Sequence, residues 1–176
     1  MGRWVSTDPA EQFWDKYAYV GNGYNPINAV DPDGNLVSGL YSKSTGELSL
    51  TNLDNGESIT VLVESGNKPT GDPIPAGEWD VLQHSRRLGF FRLDAIDGQP
   101  RNDTHEETGR GNFRLHVPGN TTGCVAVKKW KDWGDVEKML KSTSTTTVED
   151  NVKPSWWKFW KKPEQIVKYG TVEIVD

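Results

Sequence analysis

From residue 40 onward the chain is cut into short alternating runs by glycine, proline, asparagine and aspartate, and this punctuation leaves room for strands but little for helices. In 57–65, ESITVLVES, Ile59, Val61 and Val63 occupy every second position, the period of a strand with one face in a core. With LYSKSTGELSLTN at 40–52 it predicts two strands. Gly46 and Asp54-Asn55-Gly56 are the turns, the latter a hairpin tip. Residues 66–75 are rich in glycine and proline and predict a loop, followed by a strand over 76–82 and another over 88–96 that carries Phe90, Phe91 and Leu93. A polar loop over 99–110 and a closing strand over 169–175, with Val172 and Ile174 inward, complete the pattern. One segment differs: in 132–141, DWGDVEKMLK, Val136, Met139 and Leu140 form an apolar stripe behind an acidic start and ahead of a lysine end, which predicts a short helix. With 18 Gly and 10 Pro in 176 residues and only 34% apolar residues, the expected fold is mainly β, a sandwich or barrel with this one helix.

The chemistry concentrates in 110–128, RGNFRLHVPGNTTGCVAVK, which holds the only cysteine, Cys124, and one of three histidines, His116. A strand over 111–117 puts Phe113 and Leu115 on the core face, and Asn112, Arg114 and His116 on the other. Eight extended residues would separate imidazole and thiol by roughly 26 Å, so the chain must turn between them. Pro118, Gly119 and Asn120 supply that turn. A second strand starting near Cys124 then brings Sγ back toward the ring. Only the thiolate attacks, and an adjacent imidazole accepts its proton and lowers its pKa. Rapid alkylation of Cys124 below neutral pH is the expected sign. Gly123 opens the backbone to substrate and to nearby N–H donors, and Arg114 is placed to hold a substrate carboxylate. The competing readings are a cysteine that is merely a small buried hydrophobe and an arginine that is merely solvated. The orienting partner of His116 is open among Asn112, Asn120 and a backbone carbonyl. Among His84, His105, His116 and Cys124 no two have a recognised zinc-ligand spacing, so neither a metal nor a cofactor is expected. His84 and His105 are expected to be solvated or to anchor loops, with His105 near the rim of the site.

GNFRLH, a short loop and GC, with SGN and PIPAGEWDV upstream, resembles the L,D-transpeptidase-fold effectors of type VI secretion. The resemblance to ordinary L,D-transpeptidases is more distant. It covers residues 41–176 and implies an L,D-transpeptidase-like domain over 37–176, with His116 as the family histidine and Cys124 as the family nucleophile. Thr122 and Gly123 would then lie with Arg114 on the substrate side. Thr122 stands where ordinary L,D-transpeptidases carry histidine, and Val125-Ala126 where they usually carry an arginine, which favours the effector branch. The implied activity is L,D-carboxypeptidase or transpeptidase exchange on peptidoglycan stem peptides.

Residues 1–36 carry STDP, YAYVGN, NPIN and VDPDG in order, and resemble the closing segment of an Rhs-repeat core ahead of a toxin tip. In that family the last motif marks self-cleavage, but Asn35 stands where leucine is expected. The resemblance implies a parent Rhs shell, a secretion apparatus, a cognate immunity protein and action in the periplasm of a target cell. A net charge of −5 and no long basic run argue against nucleic acid as the main partner. There is no signal-peptide pattern at the start and no apolar run long enough to span a bilayer. In SWWKFWKKPE, Trp156, Phe159 and Trp160 fall at helical spacing among lysines. They predict core caps, a stacking platform for wall sugars, an immunity-protein contact or a weak membrane attachment. Two further functions compete with the enzyme on wall peptides: a non-catalytic wall-binding or interaction module, and a papain-like peptidase.

Overall fold

The computed structural model describes residues 36–66, 71–84, 87–152 and 164–176. These belong to the unit Asn35–Asp176. The segment resembling an Rhs core, up to residue 35, and the Trp156–Trp160 cluster lie outside the described residues.

Three antiparallel strands open the unit: β1 (Val37–Ser42), β2 (Glu47–Asn52) and β3 (Ser58–Ser65). The two strands expected here are therefore three, because Gly46 adopts φ 71° and folds 40–52 back on itself. Gly56, at φ 74°, makes the second reversal. Then come β4 (Gly77–Gln83), β5 (Phe90–Ala95), the short pair β6 (Thr104–His105) and β7 (Arg110–Gly111), β8 (Arg114–His116) and β9 (Val125–Val127). Helix α1 (Trp130–Ser142), β10 (Thr146–Asp150) and β11 (Glu164–Val175) complete the order.

Neighbouring strands run β1-β2-β3-β9-β8-β5-β4-β11, and a parallel pairing of β1 with β11 closes this sheet into a barrel. β10 pairs with the first half of β11, beyond the point where β1 takes over. β10 and the β6–β7 pair were not anticipated. Both are polar and lack the alternation that marks a half-buried strand. The barrel interior is filled by side chains, as an eight-stranded closure allows: Tyr41, Leu50, Val63, Trp79, Val81, Phe91, Leu93, Leu115, Val125, Val172 and Ile174 are buried there. The helix adds Trp133, Val136, Met139 and Leu140 to the same core. The mainly β fold with one short helix after Cys124 is thus what the described residues form. No helix among them is long and apolar enough to cross a membrane.

The period of two sorts the neighbouring strands β4, β5, β8 and β9 into an inner and an outer face. Trp79, Val81, Phe91, Leu93, Leu115 and Val125 point inward. The registers Phe90↔His116, Arg92↔Arg114 and Asp80↔Asp94 therefore put these six side chains on the outer face. That face is not simply solvated: Asp80, Asp94 and Arg92 are at most 5% exposed. Asp94 and Arg92 are bonded to the backbone of 101–103, and Arg92 also to Asp150, while Asp80 is paired with Lys168.

Candidate active site

The strand expected over 111–117 is interrupted. Asn112 takes φ 63°, so 110–111 pairs with 104–105 and only Arg114–His116 joins the barrel. Its partner β9 runs parallel to it, with Leu115↔Val125 and His116↔Ala126. The return through 117–124 is therefore a crossing loop and not a hairpin turn, since parallel neighbours cannot be joined by a tight reversal. Continuing the register by one residue sets Cys124 beside Arg114 and diagonal to His116, about 8 Å away between Cα atoms from strand spacing and rise. Arg114, His116 and Cys124 share the outer face.

His116 is 6% exposed. Its ring stacks on Phe90, with centroids 5.1 Å apart, and Nδ1 lies 2.7 Å from the Val117 carbonyl oxygen. A carbonyl only accepts, so Nδ1 carries the proton and Nε2 is left as the base. The orienting group of the histidine is thus a backbone carbonyl. Burial pushes the imidazole pKa below its usual 6.5, opposed in part by the Val117 bond.

Cys124 is partly buried, and its thiol donates to the Asn112 carbonyl at 3.5 Å, not to the imidazole. Burial pushes the thiol pKa up, while the Arg114 backbone N–H, the Arg114 guanidinium and Arg110 pull it down and Asp103 pushes it up. The low-pKa thiol expected from sequence is therefore corrected: the desolvation of the sulfur outweighs the cations around it, and His116 is not among the groups that stabilise the thiolate. The resting pair is a neutral thiol and a neutral imidazole on one face.

Arg114 does not stand free to grip a carboxylate. Its two terminal nitrogens meet both oxygens of Asp103, at 2.6 and 2.7 Å, and Nη1 also donates to the Phe113 carbonyl at 2.7 Å. The expected role is corrected accordingly: the fork is already filled by an internal carboxylate. Gly123 has φ 135°, and a β-carbon there would sit 2.5 Å from the Arg110 guanidinium. Its N–H is taken by the Thr121 hydroxyl at 3.2 Å, so the glycine admits Arg110 and offers no free donor from its own nitrogen. Arg110 in turn donates to the Asp72 and Pro73 carbonyls at 2.7 and 2.9 Å, holding the 71–74 loop against 121–123. Thr122 is exposed, whereas Thr121 is buried and bonds the Cys124 carbonyl at 2.6 Å.

His84 lies 6.1 Å from the Phe90 ring and accepts the Arg87 N–H at 3.1 Å, which anchors its loop. Burial, with Arg114 second, holds its pKa down. His105 is stacked on Trp79 with centroids 5.5 Å apart and bonded to Thr108 at 3.0 Å.

Asp103, Thr121 and Arg110 are the site residues that sequence reasoning missed. Asp103 sits in an Asn-Asp-Thr triplet with no chemical signal. Thr121 had one: a hydroxyl two residues before a glycine is a local turn motif.

No protein-family model matches the chain, and no curated protein matches it. Among solved structures it is similar to L,D-transpeptidase 1 of Mycobacterium tuberculosis, with a TM-score of 0.40 and 15% identity over 81% of this chain and 63% of that one. It is also similar to the helical cell shape determining protein Pgp2 of Campylobacter jejuni in two crystal structures. The TM-scores are 0.45 and 0.43 and the identities 12% and 13%, over 82% of this chain and 48% and 49% of those. The chain spans between about half and two thirds of the length of these proteins. At such scores the likeness is one of chain path and carries nothing about activity.

Proposed function

We propose that the chain is a cysteine-dependent enzyme that cleaves or exchanges the terminal D-alanine of peptidoglycan stem peptides. The observation that carries this reading is the shared outer face of Cys124 and His116 on adjacent parallel strands, with Nε2 left as the free base. For reaction Sγ leaves the Asn112 carbonyl and turns toward His116. Nε2 takes the thiol proton as sulfur attacks the carbonyl carbon before the terminal D-alanine. The tetrahedral adduct collapses as the imidazolium returns that proton to the leaving amine, which leaves a thioester on Cys124. Water releases the acid, or an amine such as another D-amino acid forms a new amide. The sequence resemblance to secreted effectors supports the same substrate, with an Rhs shell, a secretion apparatus and an immunity protein as partners and a target-cell periplasm as the place of action.

Incubating the protein with purified muropeptides and weighing the products tests this. Loss of one terminal D-alanine, or its replacement by a supplied D-amino acid, is expected. Binding without turnover would favour a wall-binding module instead, and cleavage of proteins but not muropeptides a papain-like peptidase.

The pH dependence has a defined sign. His116 must be neutral to take the proton, and burial moves its titration to the acid side of 6.5. On the acid side, kcat/KM is therefore expected to reach half its maximum at a pH below 6.5. A half-maximal point at or above 6.5 would show that the base is a solvated group. The same burial links to stability: the contribution of neutral His116 is complete above the unfolded-state value and is lost as pH falls through the folded one.

A further inference from the structure

We propose that Asp94, buried on the outer face two strand positions from the register partner of Arg114, is a positioning residue for the Cys124 site, holding the 101–103 loop so that Asp103 clamps Arg114 beside the thiol. This rests on the reading of Cys124 as the reacting group. Asp94 is 1% exposed. One of its carboxylate oxygens accepts the Arg101 N–H at 2.7 Å, and the other accepts the Asp103 N–H at 2.7 Å and Arg92 Nε at 2.9 Å. All three neighbours are donors, which suits the ionised form because it only accepts.

Those two N–H groups belong to a strained segment. Arg101 and Asp103 have φ 65° and 62°, and with Asn112 they are the non-glycine residues in the left-handed region among the described residues. Such conformations persist where the surroundings over-determine them, and they gather at functional sites. Here the three are linked. The Asp103 carbonyl accepts the Asn112 N–H at 3.1 Å, the Asn112 carbonyl accepts the Cys124 thiol, and the Asp103 carboxylate takes the Arg114 fork. Arg92 braces the assembly from the other side, donating to the Arg101 carbonyl at 2.9 Å and to Asp150 at 3.0 Å. A continuous path of bonds therefore runs from Asp94 to the sulfur through the 101–103 backbone.

Asp94→Asn keeps the shape, but whichever way its amide is turned an NH2 group faces at least one backbone N–H. The loop is expected to shift, and Arg114 with it. Arg114 pulls the thiol pKa down and Asp103 pushes it up, so loosening the pair displaces the pH profile of Cys124 alkylation. With turnover measured on muropeptides, kcat/KM is expected to fall about 10²-fold, the effect of a displacement near 1 Å at a reacting group.

Asp80→Asn is the control, since Asp80 is 2% exposed on the same face, is paired with Lys168 at 3.0 Å, and reaches the loop only through the Arg101 guanidinium at 4.0 Å, with no bond to the loop backbone. It is expected to lower the melting temperature and leave the alkylation profile in place. An unchanged profile in folded Asp94→Asn, or an equal displacement in Asp80→Asn, overturns the proposal. Should Asp94→Asn not fold, Arg92→Lys, which cannot hold all three of its partners, is judged by the same two outcomes. Alkylation needs no turnover, so a wild type inert toward muropeptides would sink the proposed activity while the profile still decides the role of Asp94.

Discussion

Cys124→Ala is expected to abolish the release of D-alanine from muropeptides, by roughly 10⁴-fold or more, while leaving the protein folded. The loss is large because the described neighbours of the sulfur on that face are an arginine already paired to Asp103 and the imidazole proposed as base. The fold survives because the sulfur is only partly buried and its hydrogen bond to the Asn112 carbonyl is long, at 3.5 Å. Removing it costs on the order of 1 kcal/mol. Mass spectrometry of the wild type with substrate should catch a thioester adduct on Cys124, and the alanine variant should show none. Turnover in Cys124→Ala within tenfold of the wild type would mean that the sulfur is not the attacking atom.

Gly170→Val is expected to cost about 3 kcal/mol or more, or to prevent folding outright, although the position is far along the chain from the site. Gly170 pairs with Val37 on one side and Val81 on the other, at the seam where β1 and β11 close the barrel. A β-carbon there would run into the Val37 backbone. Main chain cannot yield as a flexible side chain does, so the strands must part and expose the core that the seam covers. Urea unfolding measures this directly. The helix provides a contrast: Gly134 has open space around it, and Gly134→Ala should stabilise by about 0.5–1 kcal/mol because alanine loses less backbone freedom in a helix. A valine at 170 tolerated within about 0.5 kcal/mol would show that the barrel is not closed at that seam.

Much of the fold was legible in the sequence because period and punctuation are local. Ile59, Val61 and Val63 announced a strand, Gly56 a reversal, and Val136, Met139 and Leu140 the inner side of the helix. β10 was not legible: its TTVED sequence has no inner face, and it exists because the first half of β11 needs a partner. The burial of Arg92 and Asp94 was not legible either. They alternate with Phe91 and Leu93 along β5, and their partners, the 101–103 backbone and Asp150, meet them only in the folded barrel.

The candidate site divides along the same line. That Cys124 and His116 face one side, and that the chain must return between them, followed from the residues and the period of two. Parallel pairing of β8 and β9, the Asp103 clamp on Arg114, the bond of the thiol to Asn112 and the upward push on its pKa did not, because each depends on groups distant in sequence and on how much water their packing removes. By itself the sequence determined the alternation of faces and which atoms are candidates for the chemistry, which are properties of short windows. Only the tertiary structure decided which partners those atoms keep, since partners and desolvation are set by segments that meet only once the barrel has closed.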